Sequence, residues 1–159
     1  MNRIIPVTST MTYGQMHAAA QGLGIIIRSL PRMEGSLMGA YDEETKTIFL
    51  DQRLLPVQKR CTLMHELVHW EHGDETCGTI YDTKAERRTR IETARRLITL
   101  TEYATLENIY EGDKYAIAEE LNVTVSLLED YRTWLQENAY SSVAMRYRRQ
   151  ILLAGKSRI

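Results

Sequence analysis

The stretch from Val57 to Glu71 narrows most what this chain can become. It holds no glycine or proline, Pro56 stands where a first helical turn tolerates it, and Gly73 follows closely, so it reads as a helix of about four turns. At about 100° per residue, Val57, Cys61, Leu63, Met64, Leu67 and Val68 point nearly all round the cylinder. Such a helix is buried on most sides. Yet it carries His65-Glu66-Leu67-Val68-His69, and two imidazoles and a carboxylate within one buried turn are costly unless something satisfies them.

A divalent cation satisfies them. Residues four apart share a helix face, so His65 and His69 can reach one ion at the ~2.0–2.1 Å of a zinc–nitrogen bond. Glu66 stands about 100° away, beside the position left open for water, where a general base belongs. A catalytic zinc takes a third protein ligand. The next helix, Ala85 to Leu100, offers two glutamates. With Glu86 at the zero of a helical wheel, Leu97, Ala94, Ile98 and Ile91 fall between about +20° and +140°, and Glu92 falls near −120°. Glu86 thus lies at the edge of the core-facing stripe and is preferred, with Glu92, Asp74, His72 and Cys77 as alternatives.

Around this centre the chain reads as an α+β segment followed by helices. A helix over Tyr13 to Gln21 stops at Gly22-Leu23-Gly24, and a strand follows from Ile25 to Leu30. Ser36 to Tyr41 and Thr45 to Leu50 are strand-like, divided by the hairpin tip Asp42-Glu43-Glu44. Three strands make a small antiparallel sheet. A polar loop is expected from Asp74 to Thr83, and helices over Thr101 to Glu111, Tyr115 to Leu121, Ser126 to Glu137 and about Val143 to Leu153. The boundaries expected are a core at 1–100 and a helical region at 101–159, packed on it or appended.

Composition excludes several classes. Twenty basic against 21 acidic residues, a formal charge of −1, provide no whole-molecule positive field for nucleic acid. No apolar stretch approaches the ~20 residues of a membrane span, and the first residues lack a signal-peptide core, so a non-secreted chain with no membrane partner is expected. Cys61 and Cys77 are too few for a disulfide framework and suit a reducing cytoplasm as small buried hydrophobes.

Arg60-Cys61-Thr62-Leu63-Met64-His65-Glu66-Leu67-Val68-His69, the downstream Glu86-Arg87-Arg88 and Thr93-Ala94-Arg95-Arg96-Leu97-Ile98, and the hairpin residues Met38 to Tyr41 and Thr47 to Asp51 together resemble the ImmA/IrrE metallopeptidases. The resemblance spans roughly residues 13–135 and is closest to short versions from actinobacteria and their phages. It implies a zincin-like fold, with the sheet packed on the H-E-x-x-H helix. It implies Zn2+ on His65, His69 and Glu86, with Glu66 activating water for attack on a peptide carbonyl, and an extended substrate lying along an edge strand, for which Thr45 to Leu50 is the candidate. In the family's E-x-x-A-[ND] pattern this chain has Thr89 in place of Ala and Arg90 in place of Asn or Asp.

By the same resemblance the substrate is a transcriptional repressor with a helix-turn-helix, cut at limited positions, in a phage or mobile element. The opposing reading is a non-catalytic antirepressor or toxin–antitoxin-type binding module that keeps the metal for architecture. Ala116 to Thr124 followed by Leu127 and Leu128 itself looks like a helix-turn-helix pair, but Glu129 and Asp130 on its second helix would repel phosphate, so direct nucleic-acid binding is not expected. The basic clusters Arg87, Arg88, Arg90, Arg95, Arg96 and Arg146 to Arg149 read as solvated helix faces. Tyr81 and His72 are weighed as oxyanion partners and left out of the catalytic set.

Overall fold

The computed structural model describes residues 2–74 and 83–154, and over 140–154 the helix backbone alone. Cys77 and Tyr81, most of the expected polar loop, the side chains of Arg146 to Arg149 and the tail 155–159 lie outside the described residues. Helix α1 (Tyr13–Gly22) leads into strand β1 (Ile26–Leu30), then β2 (Gly39–Asp42) and β3 (Thr47–Asp51). Five helices follow: α2 (Pro56–His72), α3 (Thr83–Leu97), α4 (Leu100–Ile109), α5 (Lys114–Glu120) and α6 (Val125–Ala154).

The sheet is mixed rather than antiparallel. Its order is β1-β3-β2, with β2 antiparallel and β1 parallel to β3. The reason is burial: Thr47, Ile48, Leu50 and Asp51 of β3 are all buried, and a strand covered on both faces belongs in the middle. The chain after β1 therefore passes to the far edge before the β2–β3 hairpin returns it. With β3 paired on both sides, Thr45 to Leu50 cannot receive an extended substrate. The edge that packs on α2 is β2.

Helix α2 is the hub, packed on α1, α3, β2 and β3. From Arg60 to Trp70 every residue but His65 is buried, so the all-round apolar reading of its sequence holds. Pro56 occupies its first turn, and Gly73 ends it at a φ of 65°, a left-handed conformation that costs glycine nothing. The expected helices at 126–137 and 143–153 are one 30-residue helix, α6, because Asn138 to Ser142 includes neither glycine nor proline to break it.

Arg60 is 2% exposed and forms no ion pair among the described residues. Its guanidinium donates instead to the carbonyls of Ser9, of Met11 at 2.9 Å and of Asn122 at 2.7 Å, tying the N-terminal segment and the turn before α6 onto α2. Burial pushes its pKa down from the usual arginine value. Arg60→Met fills similar space and leaves three carbonyls without a donor. It is expected to lower the unfolding free energy by roughly 3 kcal/mol in urea denaturation.

Candidate metal centre

One turn of α2 brings His65 and His69 onto a common face, with their Nε2 atoms 3.1 Å apart. Helix α3 lies alongside and contributes Glu86, whose Oε2 is 3.4 Å from His65 Nε2 and whose Oε1 is 3.2 Å from His69 Nε2. A tetrahedral ion with bonds of ~2.0–2.1 Å holds its ligand atoms roughly 3.3–3.4 Å apart, close to the 3.1–3.4 Å that separates the two Nε2 atoms from each other and each from the nearer Glu86 oxygen. His69 is 1% exposed, His65 22% and Glu86 46%, which leaves the approach to the cluster on the Glu86 side.

The tautomer of His69 strengthens the fit. Its Nδ1 lies 2.8 Å from Asp74 Oδ2, and Arg88 binds the same oxygen. With Nδ1–H donating to that carboxylate, Nε2 presents a lone pair to Glu86 and to the other imidazole, an arrangement that a cation resolves and that its absence leaves repulsive. With protons on the imidazoles in the ion's place, hydrogen bonds from His65 and then His69 hold the Glu86 carboxyl well below the usual range. Asp74, weighed as a ligand in the sequence, stands behind His69 instead.

Glu66 faces the same space from a different direction. It is 3% exposed, and Oε2 has no hydrogen-bond partner among the described residues. Burial pushes its pKa up to about 7, against the opposing pull of His65 and a backbone hydrogen bond from Tyr41. That bond follows from the pleat. Asp51 N–H donates to Met38 O at 2.9 Å, so alternate residues Met38, Ala40 and Asp42 face β3, and the N–H and C=O of Gly39 and Tyr41 turn away from it, toward the edge. A Cβ at Gly39 would sit 2.6 Å from Thr62 Cγ2 and 3.2 Å from Glu66 Oε1, so only glycine lets the strand come this close.

Of the alternative ligands, Glu92 and His72 bind each other at 2.9 Å, and Glu71 beside them is paired with Arg96. The three could hold an ion by spacing, but their charges are already met within the protein. The arginines of α3 are likewise engaged: Arg87 with Glu137, Arg88 with Asp74, Arg90 with Asp130, and Arg95 at 4.6 Å over Trp134. Asp130 and Glu129, the acidic residues that open the second helix of the helix-turn-helix-like pair, are paired with Arg90 and Lys114.

The family model of the IrrE N-terminal-like domain of M78 peptidases matches residues 18–131. The chain belongs to that family. No protein of curated function matches it significantly. Among solved structures it is similar to a Mycobacterium tuberculosis transcriptional regulator, at 16% identity and a TM-score of 0.53, over 77% of this chain and 42% of that one. The chain thus spans under half the length of that relative, and the likeness is one of fold. Within the family's acidic pattern, the two departures have local explanations. Thr89 is fully buried with Oγ1 3.5 Å from His69 Nδ1, and Arg90 reaches across to Asp130.

Sequence reasoning missed three features here: Asp74 as the orienting group, Gly39 as the close approach, and the contribution of α6. Only the first left a local signal, an acid directly after the glycine that turns the chain back on α2. Asp74→Asn is expected to weaken zinc binding 10- to 100-fold in a competitive chelator titration, with the fold intact. Gly39→Ala is expected to cost roughly 1–3 kcal/mol in urea unfolding, through the clash with Thr62.

Proposed function

We propose that the chain is a zinc-dependent endopeptidase making limited, regulatory cuts in a protein substrate, with His65, His69 and Glu86 holding the ion and Glu66 acting as general base. Membership in a metallopeptidase family supports the reaction class. The observation that carries the roles is the pairing of a cation-shaped cluster with a buried carboxylate oxygen that no group among the described residues satisfies. An architectural metal needs neither the open side at Glu86 nor such a base.

The ion supplies Lewis acidity, lowering the pKa of water and polarising the scissile carbonyl. Glu66 Oε2 takes the proton of the attacking water as its oxygen bonds to the carbonyl carbon. When the C–N bond breaks, the same carboxyl returns that proton to the leaving amine. The Tyr41 N–H holds Glu66 toward the edge strand, and the outward-facing backbone of Gly39 offers a docking line for an extended chain. The edge strand used is therefore β2.

In this reading residues 1–100 form a zincin-like core and 101–159 a helical region packed on it. The setting is cytoplasmic, in keeping with a described chain in which no helix is long and apolar enough to cross a membrane. A helix-turn-helix repressor of a phage or mobile element is the proposed substrate. Glu66→Gln is expected to retain stoichiometric zinc while cleavage of such a repressor, read as new N-termini by mass spectrometry, falls by about 10²–10⁴. Equal cleavage by that variant contradicts the role of Glu66. Release of the repressor from its operator with no new termini favours a binding module over an enzyme.

A further inference from the structure

A cavity of about 420 Å³ opens from Glu66 and Glu86, with Met38 and Gly39 on its β2 side and Leu127 and Asp130 of α6 on the other. An extended chain turns the N–H and C=O groups of successive residues to opposite edges. Docked along β2, such a chain has one edge paired. The carbonyls of its other edge face the wall formed by α3 and α6, and each needs a donor once water is displaced.

Arg90 is the donor that this wall carries. It is the only lysine or arginine among the described residues lining the cavity, and it stands one turn beyond Glu86 on the same face of α3. Asp130 engages one side of its guanidinium alone: Nε donates to Oδ2 at 3.0 Å, and Nη2 donates to Oδ1. A guanidinium carries five N–H groups in a rigid fork, so these two bonds fix its plane and leave both N–H groups of Nη1, which have no partner among the described residues. We propose that Arg90 is a substrate-binding residue: clamped by Asp130, it donates from Nη1 to a main-chain carbonyl near the scissile bond, on the edge that β2 leaves unpaired. The inference rests on the peptidase reading and adds to it a second grip on the substrate's main chain.

Other roles for Arg90 fit less well. Arginine has no acceptor, and His69 already has Asp74 at 2.8 Å, so Arg90 takes no part in orienting that imidazole. The neighbouring Thr93 hydroxyl is committed to Thr89 O at 2.7 Å and does not compete as a donor. Charge selects a carbonyl over a carboxylate: Asp130 balances the guanidinium, and an acidic side chain brought to Nη1 meets the fields of Asp130 and Glu86 as well. A neutral carbonyl accepts the bond without that repulsion. One turn of α3 rises about 5.4 Å and an extended chain about 3.3 Å per residue, so the carbonyl belongs to a residue within about two of the cut.

The test uses the full chain loaded with zinc and two sets of short alanine-peptide hydroxamates, one extending from the zinc-binding group toward the N-terminal side of the cut and one toward the C-terminal side. In each set every internal amide is replaced in turn by a trans-alkene, which keeps the extended shape and removes the carbonyl. Binding to the wild type, Arg90→Met and Arg90→Lys is measured by calorimetry, with acetohydroxamate as the probe that has no peptide chain. For one amide, the amide-to-alkene affinity ratio is expected to be about tenfold larger in the wild type than in Arg90→Met, with Arg90→Lys between them. Comparing ratios cancels the N–H that the alkene also lacks. Acetohydroxamate affinity is expected to be equal in all three proteins, which also shows that the variants fold. Asp130→Asn, which keeps the guanidinium and removes its orienting charge, is expected to lower the same ratio severalfold. Equal ratios at every amide of both sets, or an aspartate-bearing hydroxamate that binds tighter than its alanine parent only when Arg90 is present, overturns the main-chain grip and leaves the metal centre standing. Failure of acetohydroxamate to bind the wild type removes the metal centre, and the grip with it.

Discussion

Helix α2 places two imidazoles and a carboxylate in a segment that is otherwise withdrawn from water, and the surrounding structure is organised to make that tolerable. His69 has Asp74 on one nitrogen and the cluster on the other. His65 and Glu86 share the open side. Glu66 keeps a buried oxygen without a partner among the described residues. Native proteins rarely leave such an atom unsatisfied unless chemistry uses it. The rest of the fold is scaffolding for this one helix: the sheet covers one side, α1 and α3 cover others, and Arg60 fastens the N-terminal segment and the turn before α6 to its first half.

Two consequences link packing to function. The close approach of β2 to α2 at Gly39 turns an edge-strand amide onto Glu66, so the geometry of the proposed base depends on a position with no side chain. The ion pair between Arg90 and Asp130 joins α3, which carries Glu86, to α6, which walls the adjacent cavity. The α5–α6 pair has the outline of a DNA-reading unit, but Asp130 of its second helix is paired with Arg90 of α3 and Glu129 with Lys114 at the surface. Its Leu127 and Asp130 line the cavity beside the metal cluster.

His65, Glu66 and His69 were legible in the sequence because their relation is local, one helical turn, and the burial of that turn was written in its apolar neighbours. Glu86 was legible through the wheel of α3, and for a better reason than apolar residues alone supply. Thr89 and Thr93 are also fully buried, which moves Glu86 from the edge of the buried face to its middle. The strands were found in place but not in order, since hydrophobic alternation marks a strand without naming its neighbours, and the parallel pairing of β1 depends on a loop that passes beneath no periodic signal. The break expected within α6 failed because weak helix formers do not stop a helix without a glycine or proline. The cavity wall at Leu127 was out of reach, because its relation to Cys61 is set by the packing of α6 on α3 rather than by spacing along the chain.

Every role proposed for these residues depends on a single cation held by two histidines and one carboxylate. X-ray absorption at the zinc edge of the loaded protein tests it most directly. The expected spectrum has only nitrogen and oxygen neighbours, four in number at ~2.0–2.1 Å, with the outer-shell signature of two imidazoles. A sulfur neighbour at ~2.3 Å, or the signature of one imidazole or none, contradicts it.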